Sequence, residues 1–207
     1  AITSGSLATG DTVTWTQTFD SRNVGTAKTL TPAGTVVDGN SGANYQVTFV
    51  PISTGSITPK ALTVTGVTAA SKTYDGTTTA TLTTTSASLG GRVAGDTTTT
   101  LVTAAATGTF ADRNVGTGKT VQVAGLTLTG PDATNYSLTQ PTTTASITKA
   151  MLTVTAEPKS RPYGAANPAL TVVYGGFVGG ETLPTSGVTG SPSCTTTATP
   201  ADGIGPY

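Results

Sequence analysis

Few side chains in this 207-residue chain are equipped for chemistry. There is no histidine, a single cysteine, and ten acidic residues set against ten basic ones. Without imidazole the commonest general base and the commonest nitrogen ligand for metals are missing. No nucleophile stands beside a base, so no enzyme, no cofactor and no catalytic residue is expected. The remaining candidates are polar turns. Tyr74-Asp75-Gly76 has the composition of a binding loop. It also has that of a tight turn, in which Gly takes a positive φ, Asp bonds its own backbone and Tyr packs nearby, and this second reading is the one adopted. Arg113-Asn114-Val115-Gly116 and its copy at residues 22–25 carry the one recurring arginine, which would make a two-pronged anion clamp or the edge of a structural loop. Tyr45 and Tyr136 each follow an Asn. They would stack on sugar rings if exposed, or, as preferred, bury the ring and aim the hydroxyl at a backbone group. Asp38-Gly39-Asn40 and Pro131-Asp132-Ala133 hint at a calcium loop but hold one carboxylate each, too few for an ion wanting six to eight oxygens. Regular Thr-x-Thr rows suggest an ice-binding face, which a long-period twisted sheet does not supply.

The elements that must position these residues emerge from an internal repeat. Residues 19–26 read FDSRNVGT and residues 110–117 read FADRNVGT, so Phe19, Arg22, Asn23 and Gly25 map onto Phe110, Arg113, Asn114 and Gly116 at an offset of 91. Asn44-Tyr45 maps onto Asn135-Tyr136 at the same offset, and ITPKALTVT maps onto ITKAMLTVT at 90. A weaker third copy aligns Tyr74 with Tyr163, and Gly10-Asp11, Gly95-Asp96 and Gly180-Glu181 recur at steps of 85. The frame of about 90 residues divides the chain into 1–59, the back part of one repeat; 60–149, a whole repeat; and 150–207, the front part of another. The chain opens at Ala1 with no secretory leader and is read as a processed or excised window on a longer array.

Composition sets the fold class. Threonine is the commonest side chain, 26 residues are Gly, and only 10 % are charged. β-branched side chains suit pleated sheets, and good helix formers are scarce. Alternation over residues 12–16, 62–65, 126–129 and 152–155 puts Val, Leu and Trp on one face and Thr on the other. Asp38-Gly39, Asp75-Gly76, Gly90-Gly91, Gly175-Gly176 and Asp202-Gly203 mark turns. The expectation is an all-β chain of small β-sandwich repeats, immunoglobulin-like or β-grasp-like, arranged end to end. No amphipathic helix is expected, with room for one short turn near 90–96 or 175–183. A net charge of zero argues against nucleic acid as a partner, and no apolar run is long enough to span a bilayer.

These residues resemble a known family. Lys72 to Thr77 with its Tyr74-Asp75-Gly76, then Gly95-Asp96, Phe110, Arg113-Asn114-Val115-Gly116 and Asn135-Tyr136, are similar to the YDG-type repeat of bacterial filamentous-haemagglutinin-like adhesins and giant surface proteins. Residues 150–207, with Tyr163-Gly164-Ala165 and Gly180-Glu181, resemble the related MBG repeat of YGX type; Gly164 stands where the middle copy has Asp75. The resemblance implies an extracellular or cell-surface array of structural β-modules. It implies as partners neighbouring repeats or other copies of the chain, with no metal and no cofactor. It further implies that Cys194 forms a disulfide with a residue outside the chain. Two other readings of the chain stay open: a subunit of a self-assembling extracellular filament, and a module that binds glycans or a host surface through Trp15 or Tyr136.

Overall fold

The computed structural model describes residue 2 and residues 4–202; Gly203, half of one expected turn, lies outside them. Among the described residues the chain is β-stranded apart from one 3₁₀ turn at Ala133–Asn135. It divides into two compact units, one of residues 1–65, 87–104 and 126–139, the other of residues 66–86, 105–125 and 140–207. Both units draw strands from the middle copy of the frame.

In the first unit, Thr12–Phe19, Gly25–Val37 and Ile52–Ile57 form an antiparallel three-stranded sheet. A second sheet orders Tyr136–Leu138, Lys60–Thr65 and Ser88–Gly90, with Tyr136–Leu138 parallel to Lys60–Leu62. Thr100–Val102 pairs with Thr127–Thr129. The expected alternation is realised on the Lys60–Thr65 strand, where Leu62 and Val64 are buried and Thr63 and Thr65 face out. Leu126 and Tyr136 are buried in the same unit.

The second unit is built on a five-stranded sheet in the order Lys72–Thr73, Thr142–Thr148, Gly116–Ala124, Thr107–Phe110, Thr79–Ala80. Its core is Ala80, Phe110, Val121, Ala145 and Ile147, with Ala69, Tyr74 and Leu82 packed against it. Phe110 is the largest of these, and burying an aromatic ring and its aliphatic neighbours supplies the main apolar stabilisation. Gly108 lies opposite Ala80, and a Cβ there would sit 2.7 Å from Leu82 Cδ2, so the close approach of these strands requires glycine. Thr153–Ala156 pairs with Val172–Gly175.

The repeat seen in the letters is also a repeat of register. Gly25 faces Ile57 and Lys28 faces Gly55; Gly116 faces Ile147 and Lys119 faces Ala145, with the same bulge after the glycine in both. Thr63 faces Gly90 and Val64 faces Leu89; Thr153 faces Gly175 and Val154 faces Tyr174. The weaker third copy therefore keeps the strand pairing of the middle one.

Candidate functional site

The Gly-Asp and Gly-Glu pairs each close a reverse turn. The Asp11 amide bonds Ala8 O, the Asp96 amide bonds Val93 O and the Glu181 amide bonds Val178 O, each at 3.1 Å. Gly10 and Gly95 have φ of 100° and Gly180 has 77°, a conformation that side chains resist, so glycine stands before the acid for a backbone reason. The acid is thereby presented at the end of a tight turn.

A tyrosine latches two of these turns in the same way. Tyr136 Oη accepts the Val93 N–H at 3.0 Å and donates to Asp96 Oδ2 at 2.6 Å. Tyr45 Oη accepts the Ala8 N–H at 2.8 Å and donates to Asp11. The expected hydroxyl-to-backbone bond is present. The carboxylate half of the latch went unread, although the recurrence of Gly10-Asp11 with Tyr45 and of Gly95-Asp96 with Tyr136 carried the signal. The ring of Tyr136 is buried, so it presents no face for a sugar.

Asp96 has only 3 % of its surface exposed, and its second oxygen accepts from Arg22 Nη2. The same guanidinium nitrogen reaches Asp132 Oδ1 at 2.7 Å. The Tyr136 hydroxyl, then Arg22, hold the Asp96 carboxyl below its usual range, and Asp96 in return pushes the Tyr136 phenol up. Beside it the Val24 N–H donates to Asn135 Oδ1 at 2.9 Å, and Asn135 Nδ2 donates to Asn23 Oδ1 at 3.2 Å. Arg22, Asn23 and Val24 of the R-N-V turn thus all engage the second copy. A cavity of about 180 Å³ lies between Arg22, Val24, Asp96 and Tyr136.

The second unit holds a counterpart. Glu181 accepts from the Tyr74 hydroxyl and lies 3.5 Å from Arg113 Nη2. The Tyr74 phenol is raised, chiefly by that carboxylate. A cavity of about 220 Å³ opens beside Tyr74, Val115, Val178 and Glu181.

The other signature residues are satisfied locally. Asp75 Oδ1 accepts from Lys72 Nζ at 2.8 Å and from the Thr77 N–H at 2.9 Å, around Gly76 at φ 77°. These bonds hold the Asp75 carboxyl down at about 2, Lys72 first among the causes. Asp112 accepts from Lys119 Nζ and the Asn114 N–H, both at 2.7 Å, and the Lys119 chain lies over Gly116. Asp38, offered as a calcium ligand, directs its oxygens at the amides of Asn40, Gly42 and Asn44. Tyr163 and Gly164 form the centre of a turn closed by the Ala165 amide on Pro162 O at 3.2 Å, with the Tyr163 ring exposed. Cys194 is a half-buried free thiol.

An all-β repeat protein whose signature polar groups bond chiefly to one another is the class that this fold and these turns define. Residues 1–54 and 58–145 match the YDG domain, and residues 152–207 match the MBG domain of YGX type. The chain belongs to the YDG-domain family and carries an MBG domain behind it. Such domains occur in adhesin-like surface proteins, typically as non-catalytic structural modules. No curated protein and no solved structure matches the chain at significance. Among the described residues no helix is long and apolar enough to cross a membrane.

Proposed function

We propose that the chain supplies structural spacer modules for the stalk of a secreted or cell-surface bacterial adhesin or extracellular fibre, divided near 59/60 and 149/150. The carrying observation is that the polar residues of the repeat signature are used up in holding turns: Asp75 with Lys72 and Thr77, Asp112 with Lys119 and Asn114, Asp96 with Tyr136 and Arg22. Side chains satisfied in this way preserve geometry, and short connections between successive β-modules keep reach where a flexible chain would coil. Small-angle scattering on the chain and on a version with residues 60–149 duplicated tests it. The longest dimension should grow by one module length per duplication. An unchanged dimension would defeat the reading.

Two further readings rest on particular surfaces. The edge strands Thr12–Phe19 and Ile52–Ile57 carry no charged residue and little burial, which favours edge pairing between chains in a filament. Ordered fibres of the purified chain under the electron microscope would select that reading over a covalent array. Trp15, partly exposed and edge-to-face with Phe49 at 5.9 Å, supports glycan or host-surface binding. Saturable glycan-array binding lost in Trp15→Ala would select that one.

A further inference from the structure

Arg22 and Arg113 are equivalents 91 residues apart, whereas Asp96 and Glu181 are equivalents 85 apart. The chain between arginine and acid is therefore 74 residues in one case and 68 in the other. Even so, in both cases the arginine of one copy meets the acid turn of the next. A contact that survives a six-residue shortening and an exchange of Asp for Glu is a feature of the frame, not an accident of one surface. The lining of the two cavities agrees: Val24 and Val115, Val93 and Val178, and Asp96 and Glu181 occupy matching places.

The Y-D-G turn takes part at the second of these joints. Tyr74 belongs to the middle copy, yet its hydroxyl donates to Glu181 of the third. Gly76 stands directly against Gly179: a Cβ on Gly76 would lie 3.2 Å from Gly179 Cα, and one on Gly179 would lie 3.3 Å from Gly76 Cα. Two glycines face to face let two turns approach closely, and a Cβ on either would crowd the other turn and strain a positive φ as well. Asp75, pinned by Lys72 and Thr77, holds the turn in the shape that offers Tyr74 and Gly76 together.

We propose that the Y-D-G and R-N-V turns of one copy together form a seat for the Gly-Asp or Gly-Glu turn of the following copy, so that the family signature is an intermodule docking site whose ligand is a turn-borne carboxylate. At the first joint the seat is seen from the arginine side: Arg22 supplies the charge, and the second copy's own Tyr136 supplies the hydroxyl. At the second joint both come from the preceding copy. This holds whether the modules serve as spacers, filament subunits or binding modules, and its test makes no reference to that role.

The test is native-state hydrogen exchange on the intact chain. The reporter is the Glu181 amide, which closes the acid turn; the core reference is the Val123 amide, bonded to Pro141 O at 3.2 Å. Tyr74→Phe keeps the ring against the Phe110 cluster and removes only the hydroxyl; Arg113→Ala alters a half-exposed side chain. Each should speed exchange at Glu181 on the order of ten-fold and leave Val123 unchanged, as expected when a charge-assisted bond releases a local unit. Lys159→Ala, which removes an ion pair to Glu157 away from the seat, should leave Glu181 unchanged. In a cycle of Arg113→Ala with Glu181→Gln the effects should fall short of additive. Unchanged protection of Glu181 in the Tyr74→Phe, Arg113→Ala double variant would overturn the proposal. Equal acceleration at Val123 would do so too, because it would mean general loosening.

Discussion

Phe19 and Phe110 are the same residue of the same motif, each facing the equivalent residue of the next strand, Leu30 and Val121, and they meet opposite fates. Phe110 is 2 % exposed and anchors a core; Phe19 is 44 % exposed. The bulge after Gly25 and Gly116 is shared, but Thr12–Phe19 is an edge strand, whereas Thr107–Phe110 has Thr79–Ala80 on its other side. The difference lies in what flanks and covers the ring. Phe110 is closed over by Ala69, Tyr74, Ala80 and Leu82, from the front half of its own copy. Residues 1–59 contain no counterpart of that half. In this chain the aromatic is buried where residues 69–82 lie against it and exposed where no such segment does.

The largest way to sharpen that contrast is to delete the ring in both places. Phe110→Ala should cost about 3–5 kcal/mol in chemical denaturation, the range for emptying a packed aromatic site. Phe19→Ala should cost no more than about 1 kcal/mol, because much of its surface is already wet. Equal losses would mean that Phe19 is as well covered as Phe110.

A second contrast sets the middle copy against the third. Gly91 and Gly176 follow equivalent strands with nearly the same φ, 94° and 95°. A Cβ on Gly91 would lie 3.5 Å from Ala61 O, in ordinary contact, but on Gly176 only 2.4 Å from Met151 O. Gly176→Ala should therefore lose about 2 kcal/mol or more and Gly91→Ala about 1 kcal/mol, the strain of positive φ alone. The order of the two, read from local hydrogen exchange, is the decisive result.

The third contrast is a swap. In the bulge of the first copy Ala27 sits at φ 55°, and its equivalent in the middle copy is Gly118 at 58°. Left-handed backbone costs an L-residue roughly 1–2 kcal/mol. Nothing lies within 4 Å of a Cβ built on Gly118, so backbone strain is the whole effect. Ala27→Gly should stabilise by about 1 kcal/mol, and Gly118→Ala should destabilise by a similar amount. Thermal melts of both variants check the opposite signs.

Much of this frame could be read from the letters. The turns at Gly39, Gly76, Gly91 and Gly176 all take positive φ, as Asp-Gly and Gly-Gly pairs announce. The Leu-Thr-Val-Thr alternation correctly named Leu62 and Val64 as core, but its copy at 152–155 leaves Val154 exposed, because alternation states which face is apolar and not whether anything covers it. Turns closed by the Asp96 and Glu181 amides lie in the two windows left open for one, whereas the 3₁₀ turn at Ala133–Asn135 carries none of the apolar periodicity that marks a longer helix. The site was hidden for a different reason. Matching offsets declare Tyr136 equivalent to Tyr45 and Asp96 to Asp11, but equivalence is not contact. The bond from Tyr74 to Glu181 spans 107 residues and links motifs that the alignment files in different copies.

The smallest expected effect concerns the one signature carboxylate that the third copy has replaced. Asp75 is held at about 2 by Lys72 and Thr77, against an ordinary value of 3.8, whereas Gly164 at the matching place has nothing to titrate. The folded-state value is the lower one, so the ionised form favours folding. That contribution is fully present above about pH 4 and fades as the pH falls toward 2, where the carboxyl protonates in the folded chain as well. Asp20, Asp38, Asp96, Asp112 and Glu157 are also depressed, so the parent chain as a whole loses stability in acid, and the Asp75 share appears only as a difference. Asp75→Asn should lower the denaturation midpoint slightly at neutral pH, and the gap between variant and parent should close between about pH 4 and 2. Because Asp75 is half exposed, the gap should be small and narrowed by salt. A gap that persists undiminished at pH 2 would show that the bond from the Thr77 amide, not the charge on Lys72, fixes the Y-D-G turn. The middle and third copies would then differ in turn shape more than in electrostatics.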